Sequence, residues 1–221
     1  SGTRGERSPV SVFRIQSNGY RQPFVTGITN ATSMAFSPDG QLHVSSRFEG
    51  CVYRVSSDGS CESVVSDLGV ACGIAFSDDG TLYVGDRSGT IFSVSTSGHA
   101  AEFATLPASI AAFHLAFGQD GYLFASVPTL SSSDVVFRID RTGLVDSLES
   151  TFGRPQGLAF DSHGVLHVVE ALAGNSGIYQ LGPDGRRTHV LAGPNLIGVS
   201  FNQMGDLAVA SSETIFRFDA A

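Results

Sequence analysis

Asp86 and Glu170 are carboxylates whose placement repeats: each lies ten residues after a phenylalanine, Phe76 and Phe160, at the end of a similar apolar run. Acidic groups at equivalent points of a repeat have two chemical uses, as an acid/base pair or as ligands for a divalent cation such as Ca²⁺, Mn²⁺ or Zn²⁺. Their structural use is to accept hydrogen bonds from loop amides or to pair with Arg87. Arg47 and Arg87 each fall eleven residues after an anchor phenylalanine, Phe36 and Phe76. Two guanidinium forks there either grip a carboxylate, phosphate or sugar acid, or lie solvated in loops. His114 stands where the other repeats have Ser33, Gly73, Gly157 and Gly198. A titratable ring in place of a small residue is a candidate for catalysis or ligand binding, and its alternative is a hydrogen-bonded packing histidine. Gln156 and Asn195 add two amide side chains to the candidate binding set.

These residues are carried by a unit seen most clearly at Gly157 to Val169: a short apolar run, a turn ending in Gly, and a second run of alternating large apolar residues. That pattern is a tight β-hairpin. It recurs around Phe36, Phe76, Phe117, Phe160 and Phe201, spaced 40, 41, 43 and 41 residues apart. A third run follows each of the first four hairpins, such as Val52 to Val55 or Ile178 to Leu181, then a Gly turn and a fourth run. Four short strands per roughly 40 residues specify β-propeller blades. The predicted fold is all-β, a single propeller domain over 1–221 of four-stranded antiparallel blades. The blades are 31–70, 71–111, 112–154, 155–194 and 195–221, with 1–30 a partial first blade.

Val12 to Ile15 and Pro23 to Val25 match third and fourth strands, and Ile215 to Phe218 matches a third strand. Six third strands against five inner hairpins are expected of a six-bladed propeller whose first blade is incomplete. The chain is therefore expected to be a fragment, with exposed apolar faces and marginal solubility. A signal peptide could precede its Ser-Gly start in a longer precursor, and the compartment, cytoplasmic or exported, stays open. In blades of this kind the loops before the first strand and after the second open on one face, which gathers Arg47, Asp86, Arg87, His114, Gln156, Glu170 and Asn195.

Composition removes several chemistries. With 42% apolar, 15% charged and 26 Gly residues, the chain reads as a folded β protein rather than a disordered segment or helical bundle. A net charge of −8 argues against a nucleic-acid partner, and no apolar run approaches the roughly 18 residues of a membrane span. All basic residues are Arg, which excludes Schiff-base lysines and Walker-type phosphate lysines. Cys51, Cys61 and Cys72 are too few and uneven for a disulfide framework. His43 and His167 replace Tyr83 and Phe124 of other repeats and are expected between blades. His163 belongs to a hairpin turn, so with His167 it forms no helical zinc pair. The Ser-Pro-Asp-Gly and Ser-Asp-Asp-Gly turns at 37–40 and 77–80 are expected to be type I turns with a left-handed Gly.

The Pro-Gln-Gly-Leu-Ala-Phe-Asp segment at 155–161 and Leu-Tyr-Val-Gly-Asp at 82–86 resemble the NHL-repeat and senescence marker protein/gluconolactonase propellers. A bacterial gluconolactonase-like group, in which such a propeller follows an immunoglobulin-like domain, is similar and implies another domain upstream. The resemblance implies a divalent metal at the channel mouth, held by Glu, Asn and Asp near the starts of inner strands. Here the Asp position is Gln156 and the Asn position is Phe113, while the equivalent positions elsewhere are Thr32, Cys72 and Ile197. Such a ring supplies one amide and one hydroxyl, poor donors for a hard cation. The expected function is a propeller binding a small acidic or sugar-like ligand, or a protein segment, on the channel face. The alternative is a metal-dependent lactonase-type hydrolase using Asp86 or Glu170 with ligands from strands preceding the chain.

Overall fold

The computed structural model describes residues 10–171, 176–182 and 184–220. Residues 1–9 of the expected partial blade, and Pro183 of the Pro183-Asp184-Gly185 turn, lie outside the described residues. The first sheet is β1 (Val12–Ile15) with β2 (Arg21–Val25). Four four-stranded sheets follow. They are β3 (Ala31–Phe36), β4 (Leu42–Ser46), β5 (Cys51–Val55), β6 (Cys61–Val65); β7 (Ala71–Phe76), β8 (Leu82–Asp86), β9 (Thr90–Val94), β10 (Ala100–Thr105); β11 (His114–Phe117), β12 (Leu123–Ser126), β13 (Asp134–Ile139), β14 (Val145–Phe152); and β15 (Pro155–Phe160), β16 (Leu166–Glu170), β17 (Gly177–Leu181), β18 (Arg187–Ala192). The last sheet is β19 (Leu196–Phe201), β20 (Leu207–Ser211) and β21 (Ile215–Phe218). These are the antiparallel blades of a β-propeller: one of two strands, four complete and one of three. No helix long and apolar enough to cross a membrane is present among the described residues. Two compact units divide within β10, an N-terminal unit to Phe103 and a C-terminal unit from Ala104.

Local sequence explains the repeating hairpin. The anchors pair across it with a leucine six residues later: Phe36 with Leu42, Phe76 with Leu82, Phe117 with Leu123, Phe160 with Leu166 and Phe201 with Leu207. Gly40 and Gly80 take φ of 81° and 86°, the left-handed conformation that closes their turns without a Cβ clash. The Gly40 amide donates to Ser37 O at 2.8 Å and the Gly80 amide to Ser77 O at 3.0 Å. The first hairpin strand is bulged before its anchor in β3, β7, β15 and β19, which turns its opening residues out of simple alternation.

The core lies between successive sheets. Val52 and Val65 of one blade pack with Ile74, Leu82 and Val84 of the next in the N-terminal unit. In the C-terminal unit Phe124, Val136 and Phe152 pack with Leu158, Leu166, Val168 and Tyr179. Full burial of each such side chain contributes about 1.5–3 kcal/mol. In three blades the ring of the second strand caps the next anchor: His43 lies 4.8 Å from Phe76, Phe124 5.1 Å from Phe160, and His167 4.7 Å from Phe201. His43 and His167 are thus blade–blade residues, each ring Nδ1 meeting a carbonyl two residues back, Gln41 O and Val165 O at 3.1 Å. A buried hydroxyl strengthens the same seams, Ser45 Oγ donating to Cys72 O and Ser126 Oγ to Gln156 O, both at 2.5 Å. Cys51, Cys61 and Cys72 form no disulfide. Exposed apolar surface gathers on the short sheets, at Phe13, Ile15, Ile215, Phe216 and Phe218, and on Met34 and Phe36 of β3.

Removal of a seam hydroxyl strands a buried carbonyl. Ser126→Ala is expected to lower unfolding free energy by about 1–3 kcal/mol in urea titrations, whereas Ser131→Ala on an exposed loop is expected to change it by less than about 0.5 kcal/mol.

Candidate functional site

The loops before first strands and after second strands meet at one end of a blade, and a recurring backbone bond ties them. The Arg47 amide donates to Asn30 O (3.4 Å), Arg87 to Val70 O (3.2 Å) and Ala171 to Arg154 O (3.3 Å). Two of these carbonyls belong to left-handed residues six places before the anchor, Asn30 (φ 50°) and Arg154 (φ 58°), and Asn195 (φ 57°) takes the same conformation at the equivalent position. Asn tolerates that conformation better than most residues, so the exposed Asn195 has a backbone reason to be there.

The carboxylates serve the same junction. Asp86 is buried; its Oδ1 accepts the Val70 amide at 2.7 Å and its Oδ2 accepts the Ser88 hydroxyl. It forms no ion pair with Arg87 among the described residues. Glu170, 1% exposed, accepts the Gly153 amide at 2.9 Å and Arg187 Nη1 at 2.7 Å on the same oxygen, Oε2. Arg187 also donates to Thr151 O at 2.7 Å and lies over the rings of Tyr179 and Phe152. Oε1 of Glu170 is sealed from solvent without a hydrogen-bond partner. Glu49 repeats the device, accepting the Thr29 amide (3.4 Å), the Thr29 hydroxyl (3.1 Å) and the Tyr53 hydroxyl (3.1 Å). In three blades a carboxylate at or just after the end of the second strand therefore holds the loop entering the first, satisfying loop amides that precede the ladder.

His114 opens β11 beside Gln156, which opens β15. Part of the imidazole reaches the surface, but Nε2 is sealed and has no hydrogen-bond partner. Burial pushes the His114 pKa down to about 4, against the opposing effect of the Gln156 side chain. At neutral pH the ring is uncharged, and Nε2 is sealed from solvent. Gln156 is itself buried, with its carbonyl committed to Ser126.

The lactonase-type metal does not fit these donors. Cys72 and Phe113 are buried, and the equivalent positions Thr32, Cys72, Phe113, Gln156 and Ile197 include no carboxylate. Among the described residues no group of three His, Cys, Asp or Glu side chains is placed to hold a metal. Of the sequence candidates, the N-terminal unit holds Arg47, Asp86 and Arg87, with both arginines exposed; the C-terminal unit holds His114, Gln156, Glu170 and Asn195. Sequence reading missed Glu49 and Arg187. Glu49 lies thirteen residues after Phe36, three beyond the position of Asp86 and Glu170, and Arg187 comes from a fourth strand, so the repeat spacing signalled neither.

Two outcomes follow from this chemistry. Arg187→Leu leaves Glu170 buried without its cation and is expected to destabilise the fold by about 3 kcal/mol in urea titrations, more than Arg54→Leu at an exposed pair. His114 binds its proton near pH 6.5 when unfolded but only near pH 4 when folded. Between those values the unfolded chain holds more protons, so stability falls as pH drops through the window, by up to about 3 kcal/mol. His43 and His167, also shifted down by burial, act in the same direction. Urea titrations at pH 7 and pH 4.5 are expected to show a smaller difference in His114→Gln than in the parent.

No protein-family model matches the chain, and no curated protein matches it significantly. Solved structures are similar. Virginiamycin B lyase from Staphylococcus aureus superposes with a TM-score of 0.66 at 17% identity, covering 94% of this chain and 76% of the lyase. A gluconolactonase from Xanthomonas campestris gives 0.71 at 17% identity, covering 99% and 85%. A chain of a nidogen/laminin complex gives 0.76 at 17% identity, covering 94% and 84%. A lyase, a lactonase and a protein–protein complex thus share one architecture with this chain, and that architecture is the β-propeller.

Proposed function

We propose that this chain is a binding β-propeller, which takes a small acidic or sugar-like ligand, or an acidic protein segment, on the loop face bearing Arg47 and Arg87. The observation that carries this reading is the commitment of Asp86 and Glu170 to backbone amides, while Arg47 and Arg87 stand exposed at equivalent places of neighbouring blades without an ion pair among the described residues. Carboxylates locked as acceptors are poorly placed to move protons, whereas unpaired guanidinium groups remain available to grip an anion in two-pronged hydrogen bonds. Phe48, 53% exposed beside Arg47, adds an apolar face for a sugar ring or peptide side chain.

The test is a thermal-shift screen of sugar acids, sugar phosphates and acidic peptides, followed by titration calorimetry of any hit. Arg47→Ala with Arg87→Ala is expected to weaken binding at least about tenfold. Unchanged affinity in the double variant would remove the assignment.

The likeness to a gluconolactonase supports a second reading, lactone hydrolysis. It requires Asp86 or Glu170 to leave the amides they hold. Lactone turnover that appears on addition of Ca²⁺, Mn²⁺ or Zn²⁺ and disappears in Asp86→Asn or Glu170→Gln would favour it over binding alone.

A further inference from the structure

His43 and His167 occupy the same place in their blades and hold Nδ1 in the same way, against the carbonyl two residues back. A carbonyl oxygen only accepts, so in each neutral ring Nδ1 carries the proton and Nε2 offers a lone pair. The rings differ in what meets that lone pair. Across the β16–β17 ladder His167 is paired with Gln180, whose side-chain amide nitrogen lies 3.1 Å from His167 Nε2. Across β4–β5 the residue paired with His43 is Arg54, and its Nη2 is drawn to Glu62 on the next strand at 2.6 Å. His43 Nε2 is left without a hydrogen-bond partner among the described residues, although the residue is only 8% exposed. Unlike His114 Nε2, it is not sealed from solvent.

The opening beside it is a cleft of about 640 Å³ between the sheets β3–β6 and β7–β10. Both sheets are complete, and both belong to the N-terminal unit. Hairpin turns at 37–40, 77–80 and 96–98 border the cleft, so it lies at the end of these blades opposite the loops of Arg47 and Arg87. The last of these turns is held close to β6, where a Cβ on Gly98 would come within 2.6 Å of Val64 O. Phe76, which meets the His43 ring edge-on, Leu82 and Val94 supply apolar lining. Four carboxylates, Asp39, Glu62, Asp78 and Asp79, line the cleft against one guanidinium, that of Arg54. Asp39 and Asp79 each accept a serine hydroxyl of their own turn, from Ser37 and Ser77. Asp78 is exposed and forms no hydrogen bond or ion pair among the described residues.

We infer that this cleft binds an organic cation, an ammonium or guanidinium group on an aliphatic stem. The cationic head donates to His43 Nε2 and lies against the carboxylates, with Asp78 the one still unpaired; the stem takes the strip of Phe76, Leu82 and Val94. An aromatic ring beside a cation adds its own attraction. The excess of negative charge turns anions away and is wasted on a neutral ligand. A metal ion fits less well, since no three of these His and carboxylate groups are placed to hold one. The site shares no residue with the Arg47 and Arg87 face, so each assignment stands or falls without the other.

Agmatine and cadaverine are the probes, hexanoate is the anionic counterpart, and titration calorimetry of the intact chain is the readout. Saturable one-to-one binding of agmatine is expected, with none of hexanoate. His43→Phe keeps a ring over Phe76, as Phe124 lies over Phe160, and removes the acceptor nitrogen; Asp78→Asn removes the unpaired charge at an exposed turn. Each is expected to weaken agmatine binding at least about tenfold, whereas Glu102→Gln, at an exposed carboxylate of β10 outside the cleft, is expected to change it less than about twofold. Arg47→Ala with Arg87→Ala is expected to leave agmatine affinity unchanged. Absence of binding to a chain with its native far-UV spectrum, or affinity indifferent to both His43→Phe and Asp78→Asn, would overturn the inference. So would equal losses in Asp78→Asn and Glu102→Gln, which would show attraction to net charge alone.

Discussion

A four-stranded sheet with apolar side chains on both faces has nowhere to put them except against another such sheet. Everything else in this chain follows from that requirement. Val52, Ile74 and Val84 fill one seam and Val136, Leu158 and Val168 another, and each seam is closed by a ring lying on the next anchor phenylalanine. Because a ring and a hydroxyl recur at fixed offsets, the seam fixes orientation as well as burial. Hydrophobic area alone is non-directional; the Ser45 and Ser126 hydroxyls give it a register.

The same packing dictates what the polar residues are free to do. The loops entering the inner strands carry amides with no partner in the ladder, and buried amides need acceptors. Glu49, Asp86 and Glu170 supply them. Residues that look in isolation like an acid/base pair or a metal shell are thus the cost of folding the blade ends. Arg47 and Arg87 are exposed and form no ion pair among the described residues, and the proposed binding role rests on them. The diversity of the structural neighbours agrees with this separation between scaffold and site.

Glu170 shows how far the structural role extends. One oxygen holds a loop amide and a guanidinium that lies over the rings of Tyr179 and Phe152, while the other is sealed without a partner. An arrangement of that kind fixes the junction between two strands and the loop before them. His114 lies beside Gln156, and burial holds its ring neutral at neutral pH.

The sequence by itself determined the blade. Alternation of apolar residues, Gly at left-handed turn positions and the near-constant anchor spacing are local properties, set by the two-residue period of a strand and by the sterics of four-residue turns. His43 and His167 were also legible, because they replace aromatic residues at a repeat position and behave as those residues do. The tertiary structure alone decided what the carboxylates and His114 do. The partners of Asp86 and Glu170 are a loop amide about half a repeat earlier and, for Glu170, an arginine on an outer strand. The accessibility of His114 Nε2 depends on side chains from another strand. Sequence spacing places a group on a strand; it does not say which amide or cation from elsewhere in the chain will reach it, and that reach separates a structural acceptor from a catalytic one.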